Sequence, residues 1–438
     1  MPKFTITTLG CKVNQYESEA VAAALEKSGW TADAHNATDA EVCIINTCAV
    51  TRKAAMQSRQ AVRQAVKAHP MARILVTGCY AQTDPEALKK ITGISCVIGH
   101  VAKHGIPDML AAVPNSAEAI TSPDGFNFEK TSPFMEPALS VGGRRTRPFL
   151  KIQDGCDAFC SYCIVPYARG RSSSMPFENV LENIHRLAQA GFREVVLCGV
   201  HLGCYGLDLT PPTSLFEILK QVDAGAPIHR LRLSSIEPRE ISDEIINLLA
   251  ASEHICHHFH IPLQSGDDTI LERMQRPYSR SFFRELVLKI RAAMPDAAIG
   301  ADVLIGFPGE TEEAFENTFQ LIQELPVTYL HVFPFSARKG TPADRFPEKV
   351  PSQVIKSRCH SVRQLGVAKK KEFYERFIGR TLPVLIEGQR DSSGRLKGFS
   401  ANYLPACLSG EDNLKNTIAP VRIESIGKDL TLRGTLSR

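Results

Sequence analysis

Between residues 148 and 335 a short apolar segment is followed by an amphipathic stretch again and again, and no other feature narrows the fold as much. Segments at 149–153, 194–198, 231–235, 258–263, 298–305 and 329–335 have the composition of strands. Stretches at 178–189, 215–222, 243–249, 268–274, 282–293 and 312–324 have the period of helices resting on a sheet. Strands alternating with helices pair in parallel, because each crossover carries its helix back across a sheet face. Six such units fall short of a closed eight-stranded barrel, so a partial (βα)6 barrel is expected, with its chemistry at the carboxyl ends of the strands.

The flanks read differently. Strands at 4–9, 42–46 and 74–77 alternate with helices at 17–27, 53–68 and 84–90, which predicts a separate doubly wound parallel α/β domain. Residues 114–147 are rich in Pro, Ser, Asn and Gly and read as a linker or long loop. A cation-rich helix at 353–376 leads to short β-like pieces at 381–387, 398–400, 404–408, 421–426 and 430–433, enough for a small five-stranded barrel. The expected organisation is therefore an α/β chain with domains at 1–113, 148–375 and 376–438 and a linker at 114–147.

The 13 cysteines are an odd number in a chain of 438 residues whose first segment reads as a strand, which argues for reduced thiols or metal ligands rather than a disulfide framework. No apolar run has the length of a membrane span, so a cytoplasmic protein without a membrane partner is expected. The net charge of +4 resides wholly in residues 376–438, where ten Lys and Arg face six Asp and Glu. A basic terminal module hints at nucleic acid; a solvated basic surface explains the charge equally well.

Two sets of cysteines carry the chemistry. Cys156, Cys160 and Cys163 form a C-x3-C-x2-C run within DGCDAFCSYCIVPYARGR, just after the first strand of the partial barrel. Four thiolates normally hold a four-iron cluster, so three in close spacing leave one iron open to a substrate or cofactor. A zinc knuckle is the competing reading, but such sites usually come as C-x2-C pairs. Cys11, Cys48 and Cys79 each end one of the first three strands. Parallel strands bring their carboxyl ends to one sheet edge, so these thiols converge without a local motif, and the following helices would aim N–H groups at bound sulfur. Cys43 and Cys96 have no equivalent position and read as core.

The segments TLGCKVN, NTCAVT and TGCYAQ, the C-x3-C-x2-C run, and then LSSIEP, HIPLQSGDD and DVLIGFPGET resemble, over essentially the whole chain, the methylthiotransferases of the radical S-adenosylmethionine (SAM) superfamily. The resemblance implies two 4Fe-4S clusters, on Cys156, Cys160, Cys163 and on Cys11, Cys48, Cys79, with SAM on the open iron of the former. It also implies that Tyr162 lies near the adenine of SAM, Gln264 and Ser265 near its ribose, and Ser234, Ser235 and Glu237 along the same face. The implied reaction converts C–H to C–SCH3, using two SAM and a sulfur held on the second cluster. IVPYARGRSSS, CGVHLGCYG and LSSIEP look most like the branch acting on N6-threonylcarbamoyladenosine beside the tRNA anticodon. Sister branches act on isopentenyladenosine or on a ribosomal-protein aspartate, and a non-catalytic RNA-binding protein with closed four-ligand metal sites is a further alternative. The last segment resembles the RNA-binding TRAM barrel. Expected partners are the tRNA anticodon stem-loop and a flavodoxin- or ferredoxin-type electron donor, with the sulfur donor open. Arg169 and Arg171 suit SAM or RNA, while Arg144, Arg145, Arg147 and Lys369 to Lys371 suit a tRNA backbone. The chain departs from its branch at Cys198-Gly199, usually Thr-Gly, and at Cys204, and its Glu310 stands one place late for the superfamily's adenine motif.

Overall fold

The structure is a computed structural model that describes residues 1–33, 40–112, 134–136, 139 and 145–437. Most of the expected linker at 114–147, including Arg144, lies outside the described residues. The chain divides into two compact units, one of Met1–Gly143, Lys151–Met175 and Ser336–Asp344, the other of Arg144–Leu150, Pro176–Phe335 and Arg345–Arg438.

The first unit begins with β1 (Lys3–Thr8), α1 (Lys12–Lys27), β2 (Thr31–Ala32), β3 (Val42–Thr47), α2 (Arg52–Ala68) and β4 (Arg73–Gly78). Then follow α3 (Cys79–Thr83), α4 (Pro85–Lys89), β5 (Cys96–Val97) and α5 (Ile106–Ala112). The strands pair in parallel in the order β2-β1-β3-β4-β5. That is a doubly wound order whose switch point lies between β1 and β3, where such sheets leave a crevice at their carboxyl ends. Every residue of β3 is buried, as its run VCIINT requires of a central strand covered on both faces. Helix α1 starts five residues before the sequence pattern suggests, because Cys11 is its N-cap and cysteine is no usual capping signal.

The same unit holds the Cys156 loop. After β6 (Phe149–Lys151), the strands β7 (Gln153–Asp154) and β8 (Ser173–Ser174) pair antiparallel and enclose the loop and α6 (Val165–Arg169). Ile164 and Ala168 join the core built from Ile45, Val62, Val76 and Tyr80. The loop is thereby packed on the N-terminal sheet.

The second unit continues with α7 (Phe177–Gln189), β9 (Glu194–Cys198), α8 (Leu215–Gly225), β10 (Arg230–Leu233), α9 (Asp243–Ala251) and β11 (His258–Gln264). Next come α10 (Asp268–Arg273), α11 (Arg280–Ala293), β12 (Ala298–Ile305), α12 (Glu312–Glu324) and β13 (Tyr329–Pro334). Ser214, Ser242, Asp267 and Thr311 cap through the side chain the helices that follow β9, β10, β11 and β12, and Ser279 caps α11 after the turn from α10. The sheets β6-β9-β10 and β11-β12-β13 are joined by single bridges from Leu231 to Ile255 and from Ser235 to His260. The expected partial barrel is present.

After α13 (Ser352–Glu375), β14 (Thr381–Arg390), β15 (Leu396–Ser400), β16 (Pro405–Leu408), β17 (Ile418–Ile426) and β18 (Leu432–Leu436) close into a five-stranded barrel. Arg230 and Arg232 fasten it to β10: their guanidiniums donate to the carbonyls of Pro383 at 2.6 Å and Ala401 at 2.9 Å. Buried Glu194 neutralises Arg232 through bonds of 2.6 and 3.3 Å. Although burial alone would raise the Glu194 pKa, the Arg232 guanidinium holds it below the usual carboxylate value.

Candidate metal centres and active site

Cys11, Cys48 and Cys79 stand at the carboxyl ends of β1, β3 and β4, two of them astride the switch point. Cys11 caps α1 and Cys79 opens α3. Asn14 stitches the loops together, its side-chain N–H donating to Leu9 O at 2.8 Å and Thr47 O at 3.1 Å. Ser58 Oγ accepts from Cys48 N–H at 3.1 Å, and Thr47 Oγ1 donates to Thr77 O at 2.5 Å. Gly10 has φ +104°, and a Cβ there would lie 3.0 Å from both Cβ and Sγ of Cys48, so glycine lets the first two cysteines approach.

The thiols feel one another. Burial pushes Cys48 up to about 11, with the charges of Cys79 and Cys11 adding to the rise. Cys79 is raised by burial first, opposed by the Arg169 guanidinium.

Behind them lies a sealed ionic network that no sequence motif announces. Arg169 Nη1 reaches Asp154 at 2.8 Å and Glu17 at 3.1 Å, and Nη2 donates to Asn14 Oδ1 at 2.5 Å. Lys151 reaches Asp154 at 2.8 Å and Glu17 at 3.1 Å, and Lys103 pairs with Glu17. Burial alone would raise Glu17 and Asp154, yet the surrounding cations hold both well below the usual range. Burial lowers His100 to about 4, so at neutral pH it is uncharged and accepts from Lys103 through Nδ1 at 2.9 Å. Three cations face two carboxylates, leaving one buried positive charge whose neighbours include Cys79 and Cys11. Its only hints in the sequence are the lysine inside the apolar run Phe149-Leu150-Lys151-Ile152 and the Asn14/Glu17 spacing of one helical turn on α1. Arg169 is thus committed within the protein rather than offered to RNA.

The other trio lies in a loop zipped shut at its base. Cys156 N–H donates to Gly170 O at 3.0 Å, and Gln153 Nε2 donates to the carbonyls of Asp154 and Gly155, each at 2.8 Å. Inside, the N–H groups of Ala158 and Val165 point at the sulfurs of Cys156 and Cys163, each at 3.5 Å. Tyr162 sits in the turn closed by the bond from Cys163 N–H to Cys160 O at 2.9 Å. Arg171 pairs with Asp157 at 3.2 Å on the surface.

Both trios fit iron–sulfur clusters. N–H groups directed at sulfur stabilise thiolate ligands in one, and a buried surplus cation matches an anionic set of thiolates in the other.

The second unit places the remaining expected residues. Ser234, Ser235 and Glu237 follow β10, while Gln264 and Ser265 end or follow the neighbouring β11. Gln264 has φ +60°, a costly conformation for a side-chain-bearing residue and a mark of strand ends under functional constraint. Ser265 Oγ caps the turn to Asp267 N–H at 3.2 Å, and Glu237 pairs with Arg276, so both also have structural work. Glu310 accepts from Gly306 N–H at 3.0 Å and pairs with Arg358 at 2.7 Å, so its carboxylate is held within the protein. Cys198 is buried in β9, and Cys204 Sγ donates to Glu240 at 3.4 Å, beside His201.

Residues 3–99 match the model of Uncharacterized protein family UPF0004, and residues 150–322 that of the Radical SAM superfamily. The chain is 37% identical to "Threonylcarbamoyladenosine tRNA methylthiotransferase MtaB" of Bacillus subtilis, over 96% of this chain and 93% of the relative. The protein of the same name from Rickettsia prowazekii is 40% identical, over 92% and 90%. The chain belongs to the radical SAM methylthiotransferases. Within that family, "tRNA-2-methylthio-N(6)-dimethylallyladenosine synthase" of Pelotomaculum thermopropionicum is 32% identical, over 97% and 95%. Among solved structures, the radical S-adenosylmethionine methyltransferase TsrM from Kitasatospora setae superposes with a TM-score of 0.57 at 16% identity, covering 78% of this methylthiotransferase and 77% of that chain, a likeness of fold.

Proposed function

We propose that this enzyme is a tRNA methylthiotransferase that converts N6-threonylcarbamoyladenosine beside the anticodon to its 2-methylthio derivative. The observation that carries the reading is the pairing of two three-cysteine sites in one compact unit, joined through the Arg169 network. The threonylcarbamoyl branch is supported by identities of 37% and 40%, against 32% for the dimethylallyl relative.

Cys156, Cys160 and Cys163 would hold one 4Fe-4S cluster, and Cys11, Cys48 and Cys79 the other. Bound there, two clusters and two SAM per turnover would supply removal of hydrogen from carbon 2 of the adenine and the sulfur and methyl group that replace it, the sulfur carried at the Cys11 site. The chain's own part is placement. Tyr162 would face the SAM adenine, Gln264 and Ser265 its ribose, and Ser234, Ser235 and Glu237 the same surface. Arg169 keeps a fixed positive charge beside Cys79 and Cys11 without drawing in water. Residues 1–113 and 148–375 would serve the chemistry, and the barrel at 376–438, like a TRAM module, would bind RNA in the cytoplasm.

The test is Cys79→Ala in anaerobically reconstituted enzyme. Cleavage of SAM to 5′-deoxyadenosine is expected to persist while the methylthio product disappears. Methylthio product at the wild-type rate would contradict the role given to the Cys11 site.

A further inference from the structure

A cavity of about 560 Å³ is lined by Leu9, Gly10 and Cys48 together with Gln57, Gln60 and Gln64 of α2. The glutamines follow one another at three- and four-residue steps, so they stand on one stripe of the helix. Lys53 and Lys67 continue that stripe beyond each end by the same spacing. Helix α2 carries five cations and no carboxylate. Arg59 is engaged, donating to the Tyr80 hydroxyl at 2.6 Å, whereas Lys53, Arg63 and Lys67 are exposed. The stripe therefore joins amide donors and acceptors at the cavity to positive charge at its margins, a combination suited to a polar nucleoside within a phosphate backbone.

Resting on the function proposed above, we propose that this face of α2 seats the tRNA anticodon loop, with the glutamine-lined cavity taking the polar N6 substituent of the substrate adenine. Carbon 2 and carbon 6 of adenine flank the same ring nitrogen. A cavity lined by Cys48 is thus placed to take the N6 group when carbon 2 faces the sulfur carried at the site that Cys48 shares with Cys11 and Cys79. The threonylcarbamoyl group offers N–H, carbonyl, hydroxyl and carboxylate partners to the three amides. A dimethylallyl group offers none and so gains no hydrogen bond from these exposed amides. The glutamines thereby select between the branches' substrates, while Lys53, Arg63 and Lys67 hold phosphates without regard to sequence.

The experiment uses the cluster-loaded full chain and anticodon stem-loop RNAs bearing threonylcarbamoyladenosine, dimethylallyladenosine or plain adenosine. Binding is followed anaerobically by fluorescence anisotropy across a salt series, with iron per chain and melting temperature as folding controls. The variant Lys53→Ala/Arg63→Ala/Lys67→Ala should weaken all three RNAs by about tenfold and reduce the slope of log affinity against log salt by about 2, roughly 0.7 for each phosphate that is no longer neutralised. Gln57→Ala/Gln60→Ala/Gln64→Ala should weaken only the threonylcarbamoyl RNA, by about tenfold, and erase its preference. If wild-type protein binds and modifies RNA while both variants match it, α2 is a solvated basic helix and this proposal falls alone. If wild-type protein binds none of the RNAs, the function proposed above falls with it.

Discussion

Arg169 shows how one residue's burial can be read as chemistry. A buried guanidinium with two carboxylates already satisfied by two lysines carries charge beyond what its own network needs, and its titratable neighbours beyond the network include Cys79 and Cys11. Glu194 is the opposite case, a buried carboxylate whose whole purpose is cationic neighbours, Arg232 first. Its folded pKa lies below the unfolded value of about 4.3. The stability it contributes is therefore fully present above that value and is lost as pH falls through the folded one. Melting temperature measured from neutral pH down to about pH 3 should fall less steeply in Glu194→Gln than in wild type, from a lower start, because breaking a buried pair costs about 3–5 kcal/mol. Parallel curves would show that Glu194 does not link folding to protons.

At the scale of elements, regular period is legible in the sequence and isolated pairings are not. The six barrel strands fall within a few residues of their expected bounds because each alternation repeats and the helices after β9, β10, β11 and β12 are capped by Ser, Thr or Asp. The edge strands at Thr31–Ala32 and Cys96–Val97 leave no such signal, since two residues carry no alternation. Convergence of Cys11, Cys48 and Cys79 follows from parallel topology alone. The Glu17, Lys103, Lys151, Asp154 and Arg169 network does not, because its members come from segments far apart in sequence, and pairing across such distances leaves no local pattern. The β7–β8 hairpin offers a test at this scale. Gly155 has φ +68°, and a Cβ there would collide with the backbone carbonyl of Arg171, just before the returning strand. Gly155→Ala should open the base of the Cys156 loop and lower bound iron by about four atoms per chain. Its absorption spectrum should keep a residual cluster signal from the N-terminal site. Full iron content would contradict that account of the hairpin.

For the whole molecule, similarity spans nearly its full length, so the account must hold for the chain as a unit rather than for any one motif. Residues 1–375 balance their charges, and the basic excess belongs to the segment that closes into the five-stranded barrel. Among the described residues no helix is long and apolar enough to cross a membrane. The central claim is the nucleoside the enzyme alters, and nucleoside mass spectrometry of total tRNA from cells lacking the protein, and from the same cells complemented with it, addresses that claim directly. The account predicts that 2-methylthio-threonylcarbamoyladenosine disappears and returns while its unmethylthiolated precursor rises and falls in mirror image. A change confined to the isopentenyl nucleoside, or no change in any tRNA nucleoside, would contradict it.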